Sequence, residues 1–125
     1  MLDRRTFLAA LAALPQRKPR KTDVAIVKIT STRQEGRITY EGLVKVTGER
    51  PVTGLTLHFE FFESRGVLLS QQKIQIDGTT LGPGDEKDFL VQGNDVPRAV
   101  RYKVLACDAS GRDLTVAGEG PYPLD

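Results

Sequence analysis

The chain has 125 residues, enough for one domain with little left over. Its 18 Lys and Arg against 16 Asp and Glu leave a formal net charge of +2, too even for a dedicated nucleic-acid binder. With 39% hydrophobic and 27% charged residues it is neither a disordered chain nor a multi-span membrane protein. A single Cys and a single His exclude an intramolecular disulfide, a cysteine zinc site and a two-histidine metal site.

Residues 1–14 read as an export signal rather than as part of the fold. Arg4 and Arg5 precede an apolar run from Phe7 to Leu14. That run is too short to span a bilayer, which needs roughly 20 apolar residues. It matches the h-region of a secretory signal, about 7–15 residues long. Ala10-Leu11-Ala12 offers a small-x-small cleavage pattern, with Ala13 competing. Arg4, Arg5, Phe7 and Leu8 resemble the core of a bacterial twin-arginine export signal; Asp3 and Ala9 depart from it. The resemblance implies a periplasmic or extracellular protein, with general secretory export as the alternative route; the shortness of the run implies no transmembrane span. An amphipathic cap helix is the competing reading, but Ala9 to Leu14 is apolar on every side and Pro15 stops any helix. Residues 15–22 form a basic linker containing Arg17, Lys18, Arg20 and Lys21.

From residue 23 to 125 the chain reads as seven short strands. The first is Val24 to Thr30. Arg37 to Val46 alternates, with Ile38, Tyr40, Gly42, Val44 and Val46 on one side. Thr53 to Phe62 alternates more clearly, with Leu55, Leu57, Phe59 and Phe61 against Thr56, His58 and Glu60. A period of two marks a strand with one buried face. Val67 to Ile76 is the fourth; its apolar phase slips across Ser70-Gln71-Gln72-Lys73, as a bulge or an edge position would cause. Lys87 to Gln92 is the fifth, with Phe89 and Val91 inward. Ala99 to Ala106 is the sixth, with Val100, Tyr102, Val104 and Ala106 inward, and Asp113 to Ala117 is the seventh. Glu63-Ser64-Arg65-Gly66 and Asp108-Ala109-Ser110-Gly111 carry hairpin-turn chemistry ending in Gly, and Gly82-Pro83-Gly84-Asp85 is a tight loop. Seven strands in about 100 residues predict an all-β, antiparallel, immunoglobulin-like β-sandwich.

Phe59-Glu60-Phe61-Phe62-Glu63 resembles the FxLYD motif, which names a family of bacterial and archaeal immunoglobulin-like domains. The resemblance extends over about residues 24–106, through Gly42-x-Val44, Pro51-Val52, Ser64-Arg65-Gly66, and Leu81 to Glu86 with Phe89. Val46 stands where the family tends to have Asn. The motif consists of core and turn residues, so it implies a fold and an exported or membrane-attached protein, not an activity.

Candidate chemistry is sparse. Cys107 and His58 could share a sheet, but a Cys–His dyad also needs an orienting group. Asp108 to Asp113 faintly resembles a calcium loop without the later bidentate Glu. Asp77, Asp85, Glu86 and Asp88 read as a solvated acidic loop. Copper binding on a sandwich would need Met and His clusters, and the one Met is the initiator. The chain is therefore expected to be a non-enzymatic module without metal or cofactor, binding a protein or an envelope component. The expected interaction face is formed by His58, Glu60 and Phe62 on one strand and Arg101, Lys103 and Leu105 on its neighbour. Glu60 could pair with Arg101 or Lys103, and the tail from Pro121 to Leu124 could cover the apolar members. The alternative is a small envelope enzyme or ligand-binding protein. It would use loops 47–52, 77–86 and 93–98 at one end of the sandwich, with Glu49, Arg50, Asp77, Asp85, Glu86 and Asp95.

Overall fold

The computed structural model describes residues 22–124. The export motif Arg4, Arg5, Phe7 and Leu8 and the linker up to Lys21 lie outside the described residues. The described chain contains strands and no helix. Six strands are long: β1 (Val24–Gln34), β2 (Arg37–Val46), β4 (Thr56–Phe62), β5 (Leu68–Gln75), β7 (Glu86–Asn94) and β8 (Arg101–Cys107). Five are two-residue pairings: β3 (Val52–Thr53), β6 (Thr80–Leu81), β9 (Asp113–Leu114), β10 (Val116–Ala117) and β11 (Tyr122–Pro123).

One sheet runs β10-β1-β2-β7 and a second runs β11-β8-β4-β5, with β9 also paired to β8; β3 and β6 form a small third sheet. The first two face each other across one core. Tyr40 of β2 stacks on Phe59 of β4 with ring centroids 4.1 Å apart, and Tyr102 of β8 meets Tyr40 edge-on at 5.6 Å. Leu57, Phe59, Phe61, Val44, Tyr102, Val104 and Phe89 are all buried, as their alternation with charged residues requires. Each such side chain contributes roughly 1.5–3 kcal/mol on burial.

Gly42 lets this packing close. It lies between Ile29 of β1 and Phe89 of β7 in register. A Cβ there would come within 2.3 Å of the Lys28 carbonyl oxygen and 2.7 Å of Phe89 Cζ. Lys28 directly follows the register shift of β1 between Ile26 and Lys28.

The strand inventory differs from the expected seven. Thr53 to Phe62 is broken at Gly54, whose φ of 67° turns Val52–Thr53 away to pair with Thr80–Leu81. Asp113 to Ala117 is not one strand either. Asp113–Leu114 pairs antiparallel with β8, whereas Val116–Ala117 pairs parallel with β1, so the chain changes sheet at Thr115. Thr115 is held there by Asp23, whose Oδ2 accepts from the Thr115 N–H at 2.8 Å. Nor does β8 begin at Ala99. Ala99 is buried, Val100 is 39% exposed, and pairing starts at Arg101. The phase slip in β5 has both expected causes. The strand is an edge, and its pairing jumps from Phe61↔Ser70 to Phe62↔Leu68, leaving Leu69 as the extra residue. The free edges of β5 and β7 lie on the same flank, where Gln72 Nε2 donates to the Asn94 carbonyl at 2.8 Å.

Candidate functional site

The outward face of the second sheet brings the six expected residues together. β4 and β8 are antiparallel neighbours, with His58 opposite Leu105, Glu60 opposite Lys103 and Phe62 opposite Arg101. β5 extends the same rows with Lys73 beside His58, Gln71 beside Glu60 and Leu68 beside Phe62. All six are half-buried. The tail does not cover them: Tyr122 pairs with Tyr102 and Pro123 with Arg101, so β11 lies in the sheet beside β8.

The contacts differ from those expected. Glu60 faces Lys103, yet no ion pair joins them among the described residues; the Lys103 ammonium lies 5.9 Å from the centroid of the Phe62 ring. Arg101 Nη2 donates to the Ser64 carbonyl at 3.0 Å. His58 Nε2 lies 3.0 Å from Gln71 Oε1. Phe62 and Leu105 share the face but stand four residues apart along the strands, so they are two apolar points rather than one patch.

Cys107 pairs with Thr56, which makes it a diagonal neighbour of His58 on the same face. Both line a depression of about 370 Å³ with Lys73, Leu105 and Asp113. His58 is held by Gln71, and no hydrogen bond links it to Cys107 among the described residues. Gln71 orients the imidazole, but the hydrogen bond between base and nucleophile that a dyad requires is not formed among the described residues.

The acidic loops are committed to their own turns. Asp108 Oδ1 accepts from the Ser110 hydroxyl (2.7 Å), the Ser110 N–H (3.0 Å) and the Arg112 N–H (2.9 Å), and Oδ2 accepts from Arg112 Nε at 3.1 Å. The Ser110 hydroxyl, helped by the Arg112 contacts, holds this carboxyl down to about 2. Asp77 accepts from the Thr79 hydroxyl and N–H, which pull its pKa below the usual range. Asp85 Oδ2 accepts from Gly82 N–H at 2.7 Å. No group of three or more His, Cys, Asp or Glu suited to a metal ion occurs among the described residues.

The loops of the alternative reading do not share one end. Loops 47–52 and 77–86 meet where β2 ends, through β3–β6 pairing and a Gly84 N–H to Val46 carbonyl bond. Segment 93–98 lies at the opposite pole, where the Asp95 N–H donates to the Gly36 carbonyl. Asp95 there is engaged by Arg33 at 2.8 Å.

The corner around Phe62 gathers apolar residues beyond the six expected for the face. Val67, Leu68 and Val100 are 55%, 44% and 39% exposed, three of the five exposed large hydrophobics among the described residues. The backbone brings them beside Phe62: Leu68 pairs with it, Val100 N–H donates to its carbonyl, and Val67 closes the adjoining turn by accepting from Glu63 N–H. They come from two connections more than 30 residues apart, β4 to β5 and β7 to β8, so no local sequence pattern groups all three.

No family model matches the chain, and no curated protein matches it. Its fold is similar to that of IrmA from Escherichia coli, with a TM-score of 0.51 over 86% of this chain and 98% of that one. The two are 12% identical, so the likeness is one of fold. No helix of the described residues is long and apolar enough to cross a membrane.

Proposed function

We propose that the chain is an exported, non-enzymatic β-sandwich module that binds a protein or another envelope component through the outer face of its second sheet. One observation carries the reading. Phe62, with exposed Leu68 paired to it and exposed Val100 bonded to its carbonyl, stands at the end of a face that also carries His58, Glu60, Arg101, Lys103 and Leu105, with neither cation paired to a carboxylate among the described residues. A sheet with one face on the core ordinarily turns polar residues outward, and apolar residues rimmed by charge mark a contact surface. An immunoglobulin-like topology is part of the proposal. It is supported by β1, β2 and β7 lying in one sheet and β4 and β8 in the other, as strands A, B, E and C, F do in such domains. The FxLYD-like resemblance fits the burial of Phe59 and Phe61 at the motif's apolar positions.

Two experiments test the proposal. Capture of partners from envelope extract should be weakened by the double charge reversal R101E/K103E while the unfolding midpoint stays nearly unchanged; unaltered capture overturns the face assignment. Mass spectrometry of the native protein should show a start near Ala13 or Leu14; an intact Met1 terminus in the cytoplasm overturns export.

A further inference from the structure

The corner around Phe62 carries an inference that rests on the interaction-module reading and names its partner. We propose that Phe62, Val67, Leu68 and Val100, ringed by Arg65, Arg98, Arg101 and Lys103, dock the domain onto an anionic lipid surface. The apolar members are the exposed trio and the half-buried Phe62, drawn together by the backbone contacts described above. Arg65 sits in the turn that Gly66 closes with a φ of 86° and a hydrogen bond from its N–H to the Glu63 carbonyl. Arg98 lies in the turn closed by the Ala99 N–H on the Val96 carbonyl. Arg101 stands opposite Phe62, and Lys103 lies over its ring. None of these four cations closes an ion pair with a carboxylate among the described residues.

Charge favours lipid over a protein partner: the four cations outnumber Glu60 and Glu63 at the same corner. Three of the four cations are Arg, whose planar fork of donors matches phosphate oxygens better than an ammonium does. The apolar side chains lie on a turn, a strand end and a loop. Shallow apolar insertion combined with basic residues at headgroup level is the general physics of peripheral membrane binding. The corner lies at the pole where β1 ends, whereas Thr22 enters at the pole where β1 begins.

The chain contains no Trp, so V67W is a unique fluorescent reporter at an exposed turn position. The full chain carrying V67W would be mixed with vesicles of phosphatidylglycerol and phosphatidylcholine, or of phosphatidylcholine alone. Emission should shift to the blue and be quenched by brominated acyl chains with the anionic vesicles only. L90W, on the outer face of the first sheet, should show neither change. Adding R65E and R101E to V67W should weaken the response at least about tenfold, since each basic residue near an anionic surface contributes severalfold. An unshifted V67W under conditions where the chain co-sediments with anionic vesicles overturns the proposal. So does a failure to co-sediment at all. If V67W stays unshifted while R101E/K103E still abolishes capture of a protein, the interaction reading stands and the lipid assignment falls. If neither response is seen, both fall.

Discussion

Arg33 Nε donates to Asp95 Oδ1 at 2.8 Å, tying the end of β1 to a loop 62 residues further on. Its Nη2 donates as well to the Val96 and Ala99 carbonyls, at 2.7 and 2.8 Å. One guanidinium thus fixes the whole connection that delivers the chain into β8. Arg33→Ala should destabilise the domain by about 1.5–3 kcal/mol, the range for hydrogen bonds to a charged group in a part-buried setting. Arg33→Lys should recover little, because an ammonium cannot reproduce the planar fork that reaches three acceptors. Urea unfolding measures the loss, and amide exchange should localise it to residues 95–99.

Phe59 lies against Tyr40 at 4.1 Å and within 6.0 Å of Tyr102, at the centre of the core. Phe59→Ala should cost about 3–5 kcal/mol, a large part of a typical 5–15 kcal/mol stability. A change below about 1 kcal/mol in urea unfolding would contradict this packing.

Gly42→Ala tests the close approach at the β1 bulge. The added methyl has to displace the Lys28 backbone and the Phe89 ring together. A destabilisation of about 1–3 kcal/mol is expected. Restoring space with Phe89→Leu in the same chain should return part of it, which a double-mutant cycle would read as coupling.

Asp108 should shape the acid limb of stability. Its folded pKa is about 2 against an ordinary 3.8. A carboxyl depressed on folding stabilises the native state above its unfolded pKa, and the contribution disappears as pH falls from about 4 towards 2. Asp108→Asn should therefore lower stability at pH 7 and flatten the dependence in that window. A wild-type acid limb unchanged by the substitution would count against the turn network.

The tyrosines set the alkaline limb. Burial raises Tyr102 to about 12, and burial with the nearby Tyr102 and Asp95 pushes Tyr40 well above its usual value. The unfolded chain ionises both near pH 10, so stability is intact below that value and falls as pH rises towards 12. Absorbance at the tyrosinate band should therefore rise together with the loss of β-sheet signal rather than before it.

The readable part of the fold was the part with strict alternation. β2, β4 and β8 each bury one face, and their inward residues could be named from a period of two. What escaped was set by long-range pairing. β6 and β11 are two-residue strands whose pairing partners lie far away in sequence, so neither has a pattern of its own. The end of β1, Ser31 to Gln34, is polar and shifted in phase by the bulge, so its extension depends on pairing with β2. Among the site residues, the face shared by His58, Glu60, Phe62, Arg101, Lys103 and Leu105 followed from alternation plus one adjacency rule. The exposed corner did not, because Val100 joins Val67 and Leu68 only when the chain before β8 docks on the β4–β5 hairpin.

The hydrogen bond from Gln72 to Asn94 has a consequence for how copies of this chain behave at high concentration. Both sheets end in a strand with one unpaired edge, and such edges invite pairing with the same edge of another molecule. Gln72 reaches across the flank and occupies the Asn94 carbonyl, which an incoming strand would otherwise use. The extra residue at Leu69 spoils the flat spacing of the neighbouring edge. On the flank shared by β5 and β7, these two small devices hinder growth edge by edge into fibrils.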